Sequence, residues 1–420
     1  MAIRLLIVGG GAAGLMAAAT AAERGIPAML LERRHRLGLK LLLCGNNRCN
    51  ISHDFTVPQM LRAYGEPVAD FLRPALEAFP PAQLRRWFLG LNLKTVVKHD
   101  NRIYPASENA DDVLHAFTDY LRDRKFPYAL NCPVKAIRRG EAGFSVETET
   151  GLVFEAENLL VATGGASYPK TGSVGDGVSF AAQLGLKTLP LRAGLVAVET
   201  SLPWLAMCRD TDVPDVRMRV LDASGTERAG IRGNLLCNPG ILRGSAVFDA
   251  TRFCARQNLS DFRLVLDLFP KGELSLNRLP RELASALKAA KLPNLHEIPV
   301  PVTAVRPLKE AIVTVGGVAC EEIDPETMQA HKVPGLYFAG ETLDVDGPTG
   351  GFNLHAAFAT ARLAVTAVAG KTDAGKADAA GRNRRNQPTW KESHPVGKRY
   401  PATDWNYGRK GWNRQSGRNR

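Results

Sequence analysis

An α/β fold is predicted by three stretches of this 420-residue sequence. IRLLIV (3–8) is a short, uninterrupted apolar run, the pattern of a strand buried on both faces. GGGAAG (9–14) follows at once and opens an Ala-rich helical stretch that stops at Gly25, a natural C-terminal cap. AMLLE (28–32) reads as a second buried strand, with Pro27 tolerated at its start. Strand, glycine turn, helix and strand together make the unit from which parallel sheets are wound.

The elements that follow are read in order. Residues 68–89 form helices broken at Pro80–Pro81, and SENADDVLHAFTDYLRD (107–123) is a helix capped by Ser107. From Cys132 to Gly165 apolar and polar residues alternate, with turns at RRGEAG and ETG. That is a small antiparallel meander returning to a buried strand, NLLVATGG (158–165). Residues about 190–312 are rich in Pro, Gly and short β-like runs, with one helical patch, RELASALKAAK (281–291), and read as an insert. GLYFAGE (335–341) is again a buried strand, and GGFNLHAAFATARLAVTAVAG (350–370) starts with glycines and continues as an amphipathic helix. The expected organisation is a discontinuous nucleotide-binding domain (1–190 and 312–370), an inserted substrate or cap domain (191–311), and a basic tail (371–420), polar enough to be disordered.

Composition narrows the class. At 45% apolar residues the chain can bury a large core. No run approaches 18 uninterrupted apolar residues, so no membrane-spanning helix is expected. The N-terminal apolar run leads straight into glycines and lacks the order of an export signal, so a cytoplasmic location is expected. Seven scattered cysteines, with no C-x2-C pair or Cys/His cluster, form neither a disulfide framework nor a structural metal site. The net charge of +12 is concentrated at one end. Residues 371–420 hold 13 Lys/Arg and 4 Asp/Glu, leaving a net of +3 for the rest.

The glycines carry the chemistry. Gly9, Gly11 and Gly14 fit G-x-G-x-x-G. The first allows the tight turn, the second lets backbone approach a pyrophosphate, and the third lets helix pack on strand. The helix N-terminus offers free N–H groups to phosphates. Glu32, at the end of the second strand, can accept ribose hydroxyls. This unit does not separate NAD from FAD. LLVATGG and GLYFAGE point to FAD, because both are apolar strands that run into small residues beside a flat cofactor. They bring Ala162, Thr163, Gly164 and Glu341 towards it, and the helix opening at TGGFN aims N–H groups at the flavin's pyrimidine edge. The bland alternative is that each is a strand-to-loop exit.

These residues, with GGGAAGLMAA, LGLKLLLCGNNRCNIS, RIYPASENADDVLHAF, LLVATGGASYPKTGSVGDG, LRAGLV and VTVGGVACEEIDPETMQAHKVPGLYFAGETLDVDGPTGGFNLHAAFATARLA, resemble the BaiN/RdsA-like family of FAD-dependent oxidoreductases. That family belongs to the glutathione-reductase-type flavoprotein superfamily, and the resemblance covers most of residues 1–370. It implies a Rossmann-like FAD domain, three-layer ββα, interrupted by an inserted β-barrel/helical domain. It also implies reduction of activated C=C bonds: enones in bile acids, or a uridine of ribosomal RNA giving dihydrouridine. Some members are labelled aminoacetone oxidases. Two stretches depart from the family pattern. Cys44-Gly45-Asn46-Asn47-Arg48-Cys49-Asn50 stands where S-G-G-G-R-C-N is usual, and CNPGILRGSAVFD replaces T-H-x-G-x-S-G-P.

The candidate cofactor-binding set is Gly9, Gly11, Ala12, Ala13, Gly14, Glu32, Arg33, Lys40, Val134, Ala162, Thr163, Gly164, Gly340, Glu341, Gly350, Gly351, Phe352 and Asn353, with FAD as cofactor and NAD(P)H as electron donor. No second strand–G-x-G-x-x-G–helix unit and no folded C-terminal interface domain accompany Cys44 and Cys49, which argues against a redox dithiol. NAD(P)H would then visit the flavin through the substrate cleft, or another protein would supply electrons. Cys49 is either a general acid beside the flavin or a small packing residue. Cys44 reads as structural. Arg48 either holds an anionic substrate or pairs with a carboxylate. His355 is either catalytic or packed, and Arg192 can reach the site from the linker. Asp344 and Asp346 form a polar turn or bind substrate. In the tail, Trp390, Tyr400, Trp405, Tyr407 and Trp412 sit among Arg and Lys, a composition that suits phosphates and unpaired bases and makes ribosomal RNA a candidate partner. A solubilising tail is the plain alternative. The functional alternatives are a small-molecule enone reductase, an amine oxidase, or an RNA-associated flavoprotein with non-catalytic FAD.

Overall fold

The computed structural model describes residues 3–98, 100–272 and 275–382, with 371–382 as backbone only. Strand Ile3–Val8 lies inside a parallel sheet. On one side it pairs with Ala28–Leu31, which pairs in turn with Tyr128–Ala129. On the other it pairs with Val153–Val161, whose end takes Leu336–Phe338 alongside. Five apolar strands in parallel need cover on both faces, and their burial follows: Leu5, Leu6, Ile7, Leu159, Leu160, Val161 and Tyr337 are fully buried. Val153–Val161 is bifurcated. Its first half pairs antiparallel with Phe144–Thr148 and, through it, Val134–Arg139, which is the meander read from the alternation.

Helices close the faces. Ala12–Glu23 starts at Gly11, is buried from Ala13 to Ala21, and ends where Gly25 adopts φ +63°. Val68–Ala78 and Pro81–Gly90 are separated at the proline pair. The helix expected from Ser107 begins later, at Ala110–Asp123. Its cap is Asn109, whose side-chain oxygen accepts the Asp111 N–H at 3.0 Å. The C-terminal helix, Phe352–Arg382, passes the Gly370 boundary expected from composition. Its Phe358 meets Phe88 and Phe117 in a buried aromatic cluster with centroids 5.6–5.9 Å apart. Residues Phe352–Gly370 are long and apolar enough to cross a membrane by length and composition, and 61% of that stretch is buried inside the fold. The basic, aromatic part of the tail from residue 383 lies outside the described residues.

The residues up to Gly370 form one compact unit. This unit contains two hydrophobic cores. The second of these belongs to an antiparallel seven-stranded sheet built from Val198–Thr200 through Val302–Val305. Its two edge strands, Ile298–Val300 and Val302–Val305, are consecutive in the chain with only Pro301 between them. Strands that adjoin in sequence yet end opposite edges force the sheet to curl round, giving the barrel-like shape. Helices Ser245–Arg256 and Arg281–Ala290 supply Val247, Ala250, Leu283 and Leu287 to its core. Two strands, Thr188–Gly194 and Val313–Val318, pair antiparallel where the chain leaves the first core and returns.

Candidate active site

A cavity of about 1210 Å³, its open mouth included, runs from the first glycine turn to the start of the C-terminal helix. Its floor is the end of Ile3–Val8. Gly9 turns at φ +106°, and a Cβ there would lie 2.5 Å from the Ala162 carbonyl oxygen. A Cβ on Gly14 would lie 1.7 Å from the Gly9 oxygen, so only glycine lets the helix sit this close to the strand. Gly11 is different: a Cβ there meets nothing within 4 Å, because it faces open space. The helix start has no side-chain cap and no acid in its first turn, so its N–H groups and positive dipole end are left for a ligand. Glu32 borders the same end, accepting the Gly10 and Arg34 N–H groups at 2.7 Å each. Burial raises its pKa against the pull of those two bonds.

The opposite wall is assembled from distant segments. Lys40 is paired with Glu341 and donates to the Ser167 hydroxyl at 2.7 Å. Glu341 also accepts the Thr314 N–H at 2.6 Å. The Thr314 hydroxyl accepts the Ala166 N–H, and the Thr342 hydroxyl accepts the Gly164 N–H. These bonds fix the loop after Val161 against the linker strand. Asp176, half-buried and with its pKa raised by desolvation, is paired to Arg33 at 2.9 Å. Gly340, at φ +67°, approaches Ala13, where an added Cβ would lie 3.0 Å from the alanine's.

Of the expected cofactor residues, Gly9, Gly11, Ala12, Ala13, Glu32, Arg33, Lys40, Val134, Ala162, Thr163, Gly164, Gly340, Glu341 and Asn353 line this cavity. Gly14 lies behind it, in the helix–strand contact. Gly350, Gly351 and Phe352 are not among the lining residues. Gly351 backs onto Ser52, 2.7 Å from where its Cβ would be. Phe352 stacks on His53 with centroids 4.9 Å apart, and the His53 Nδ1–H reaches the Gly350 oxygen at 2.9 Å. The glycine pair therefore seats the helix on the Ser52–His53 strand, and Asn353 carries the contact with the cavity.

The three catalytic candidates stand apart from it. Cys49 is fully buried in the first core, and burial pushes its thiol well up. His355 has no exposure. Its Nε2–H donates to the Phe79 oxygen at 2.9 Å, and its Nδ1 accepts from the Ser52 hydroxyl at 2.7 Å. Burial takes its pKa down to about 4, so the ring is neutral and structural in geometry. Arg48 is exposed, 3.6 Å from Glu108 and over the Tyr104 ring. Arg192 does not line the cavity. Asp344 and Asp346 are held by Arg256 and Arg252. Cys44, read as structural, lines the cavity instead. Both cysteines are free thiols. Sequence reasoning also missed Gly10, Gly38, Cys132, Gly172, Ser173, Asp176 and Val345. Asp176 had a signal in the glycine-rich GSVGDG.

Four features of the chain bear on FAD: an uncapped helix start, a glycine facing open space, an acid at the second strand's end, and a long cavity continuing to a second strand–glycine exit. The residues fit. Gly9–Ala13 and Glu32 would hold the adenosine and pyrophosphate half, and Lys40, Glu341, Gly340 and Asn353 the half beyond. The class is that of an FAD-dependent oxidoreductase with a Rossmann-like domain.

The family model described as HI0933-like protein Rossmann domain matches residues 3–367, and the chain belongs to that family. A ribosomal RNA dihydrouridine synthase of Escherichia coli K12 is 28% identical over 85% of this chain and 95% of its own length. A 3-dehydro-bile acid Δ4,6-reductase of Clostridium scindens is 28% identical over 87% of this chain and 99% of its own. Among solved structures, a 3-ketosteroid-Δ4-(5α)-dehydrogenase of Rhodococcus jostii RHA1 shares the fold. Its TM-score is 0.51 at 13% identity, over 87% of this chain and 96% of that one.

Replacing Gly14 with Ala drives a methyl into the Gly9 carbonyl. We expect a loss of about 1–3 kcal/mol in urea unfolding and purified protein without flavin absorbance. Full flavin content in Gly14→Ala contradicts the packing role.

Proposed function

We propose that this enzyme reduces an activated C=C bond, with NAD(P)H as electron donor and a uridine of ribosomal RNA as the leading substrate. Two observations support the reading. Relatives covering nearly the whole chain are named for reductions of ring C=C bonds, and two of them, from E. coli and Haemophilus influenzae, are ribosomal RNA dihydrouridine synthases. The tail composition, basic with interleaved aromatics, suits RNA. The single observation that carries the redox part is the continuous cavity between the first glycine turn and Asn353.

Reduction of a C=C bond places a hydride on one carbon and a proton on the other. FAD, when bound, supplies the hydride chemistry. The chain must orient the cofactor, exclude water and hold the proton. Lys40, Glu341, Ser167 and Thr314 form the polar frame that orients. Cys44 is a lining residue that holds a proton at neutral pH: burial is the main cause that pushes its thiol up to about 11, Lys40 opposing and Glu341 adding. On its position in the cavity wall beside Lys40, we assign Cys44 the proton delivered opposite to hydride attack, from a thiol less acidic than the optimum near the working pH. Cys44→Ala is expected to keep its FAD and lose about 10²–10⁴-fold in turnover. Unchanged turnover removes Cys44 from the chemistry.

The relative from C. scindens, equally identical, supports a second reading, a small-molecule enone reductase. Deleting the gene and measuring ribosomal RNA nucleosides by mass spectrometry separates the two. Loss of dihydrouridine, restored by the wild-type gene, is the expected result. Unchanged dihydrouridine rules out the RNA substrate.

A further inference from the structure

The insert grips the cofactor cavity through one face of one helix. In Ser245–Arg256, residues Asp249, Arg252 and Arg256 are spaced i, i+3 and i+7 and so share a face. All three reach the same loop of the nucleotide-binding domain. Arg256 donates to both carboxylate oxygens of Asp344 at 2.7 Å and is also paired with Asp346. Arg252 donates to Asp346 at 2.9 Å. Asp249 accepts the N–H of Thr349 at 2.7 Å and its hydroxyl at 3.0 Å. Little of this is open to solvent: Asp346 has no side-chain exposure, Arg252 14% and Arg256 18%.

The gripped loop is a wall of the cavity. Val345, between the two aspartates, lines it. Gly347 exchanges two hydrogen bonds with the side chain of Asn353, at 2.8 and 2.9 Å, and Asn353 lines it too. Asp344 accepts the Gly316 N–H at 3.0 Å, in the same strand as the lining residue Val313. The two arginine contacts are thus one residue from Val345, while Asp249 holds Thr349, two residues beyond Gly347, the partner of Asn353.

We propose that Asp249, Arg252 and Arg256 are positioning residues of the flavin site: they fix the Asp344–Thr349 loop, and through it Val345 and Asn353, so that docking of the insert sets the shape of the cofactor cavity. Buried ion pairs contribute less to stability than to a unique arrangement, because any other placement leaves a buried charge without a partner. The proposal rests on the assignment of the cavity to FAD and is independent of which C=C substrate is reduced.

The test uses the full-length holoprotein. FAD affinity is measured by flavin fluorescence, and the flavin environment by visible circular dichroism, for wild type, Arg256→Ala, Arg256→Lys, Asp249→Asn and Leu264→Ala. Leu264 is buried in the insert core and serves as a control for general loss of stability. Arg256→Ala and Asp249→Asn are expected to weaken FAD binding by about tenfold, a usual size for coupling between linked sites, and to change the dichroism. Arg256→Lys should recover part of both. Leu264→Ala should lower the unfolding temperature while leaving affinity and dichroism at wild-type values. If Arg256→Ala does not fold, Asp249→Asn decides. Wild-type affinity and dichroism in the loop-contact variants overturn the proposal, as does an equal effect from Leu264→Ala. Absence of FAD from the wild type would overturn the cavity assignment itself.

Discussion

The structure depends on one close approach, the α-carbon of Gly14 against the carbonyl of Gly9. That contact brings the first helix onto the end of the first strand and turns its uncapped N-terminus into the cavity. The neighbouring segments are built to the same tolerance. Gly9 leaves no room between itself and Ala162, and Gly340 fits against Ala13. Three strand ends therefore meet around backbone rather than side chains, which leaves a long slot with N–H groups along it. A parallel sheet gives this geometry at its carboxyl edge.

The second constraint is electrostatic. Lys40 and Glu341, Arg33 and Asp176, and the arginines of the insert helix with Asp344 and Asp346 all join segments far apart in the chain. For the buried arginine–aspartate pairs of the insert helix, removing one partner costs about 3–5 kcal/mol, whereas replacing both with apolar groups is often neutral. Such pairs are best understood as choosing one arrangement of loops around the cavity. The hydrophobic cores hold the two sheets, and the ion pairs decide how their loops meet.

Much of this was legible in the sequence where a local rule applies. Two buried strands, the G-x-G-x-x-G turn and Glu32 are close in the chain, and each has a backbone reason for its residue type. Reading failed where no period applies. In the loop 44–50, Gly45, Asn46, Asn47 and Cys49 all have positive φ, so neither helical nor strand spacing says which side chain faces where. Cys49, open between a general acid and a packing residue, lies packed in the core, while Cys44, read as structural, lines the cavity. The Lys40–Glu341 pair spans 301 residues and is invisible until the sheet is formed. At Gly350–Gly351 the glycines were read as approaching a cofactor, whereas their closeness is to the Ser52–His53 strand. A glycine reports that something is near, without saying whether it is ligand or chain.

The central claim is that the slot between Gly9 and Asn353 holds FAD. Its most direct test is to purify the full chain, denature it, and identify and quantify the released cofactor by chromatography and mass spectrometry. The account predicts FAD, approaching one per chain. Release of FMN or a nicotinamide dinucleotide alone, or no binding when the chain is reconstituted with FAD, would contradict it.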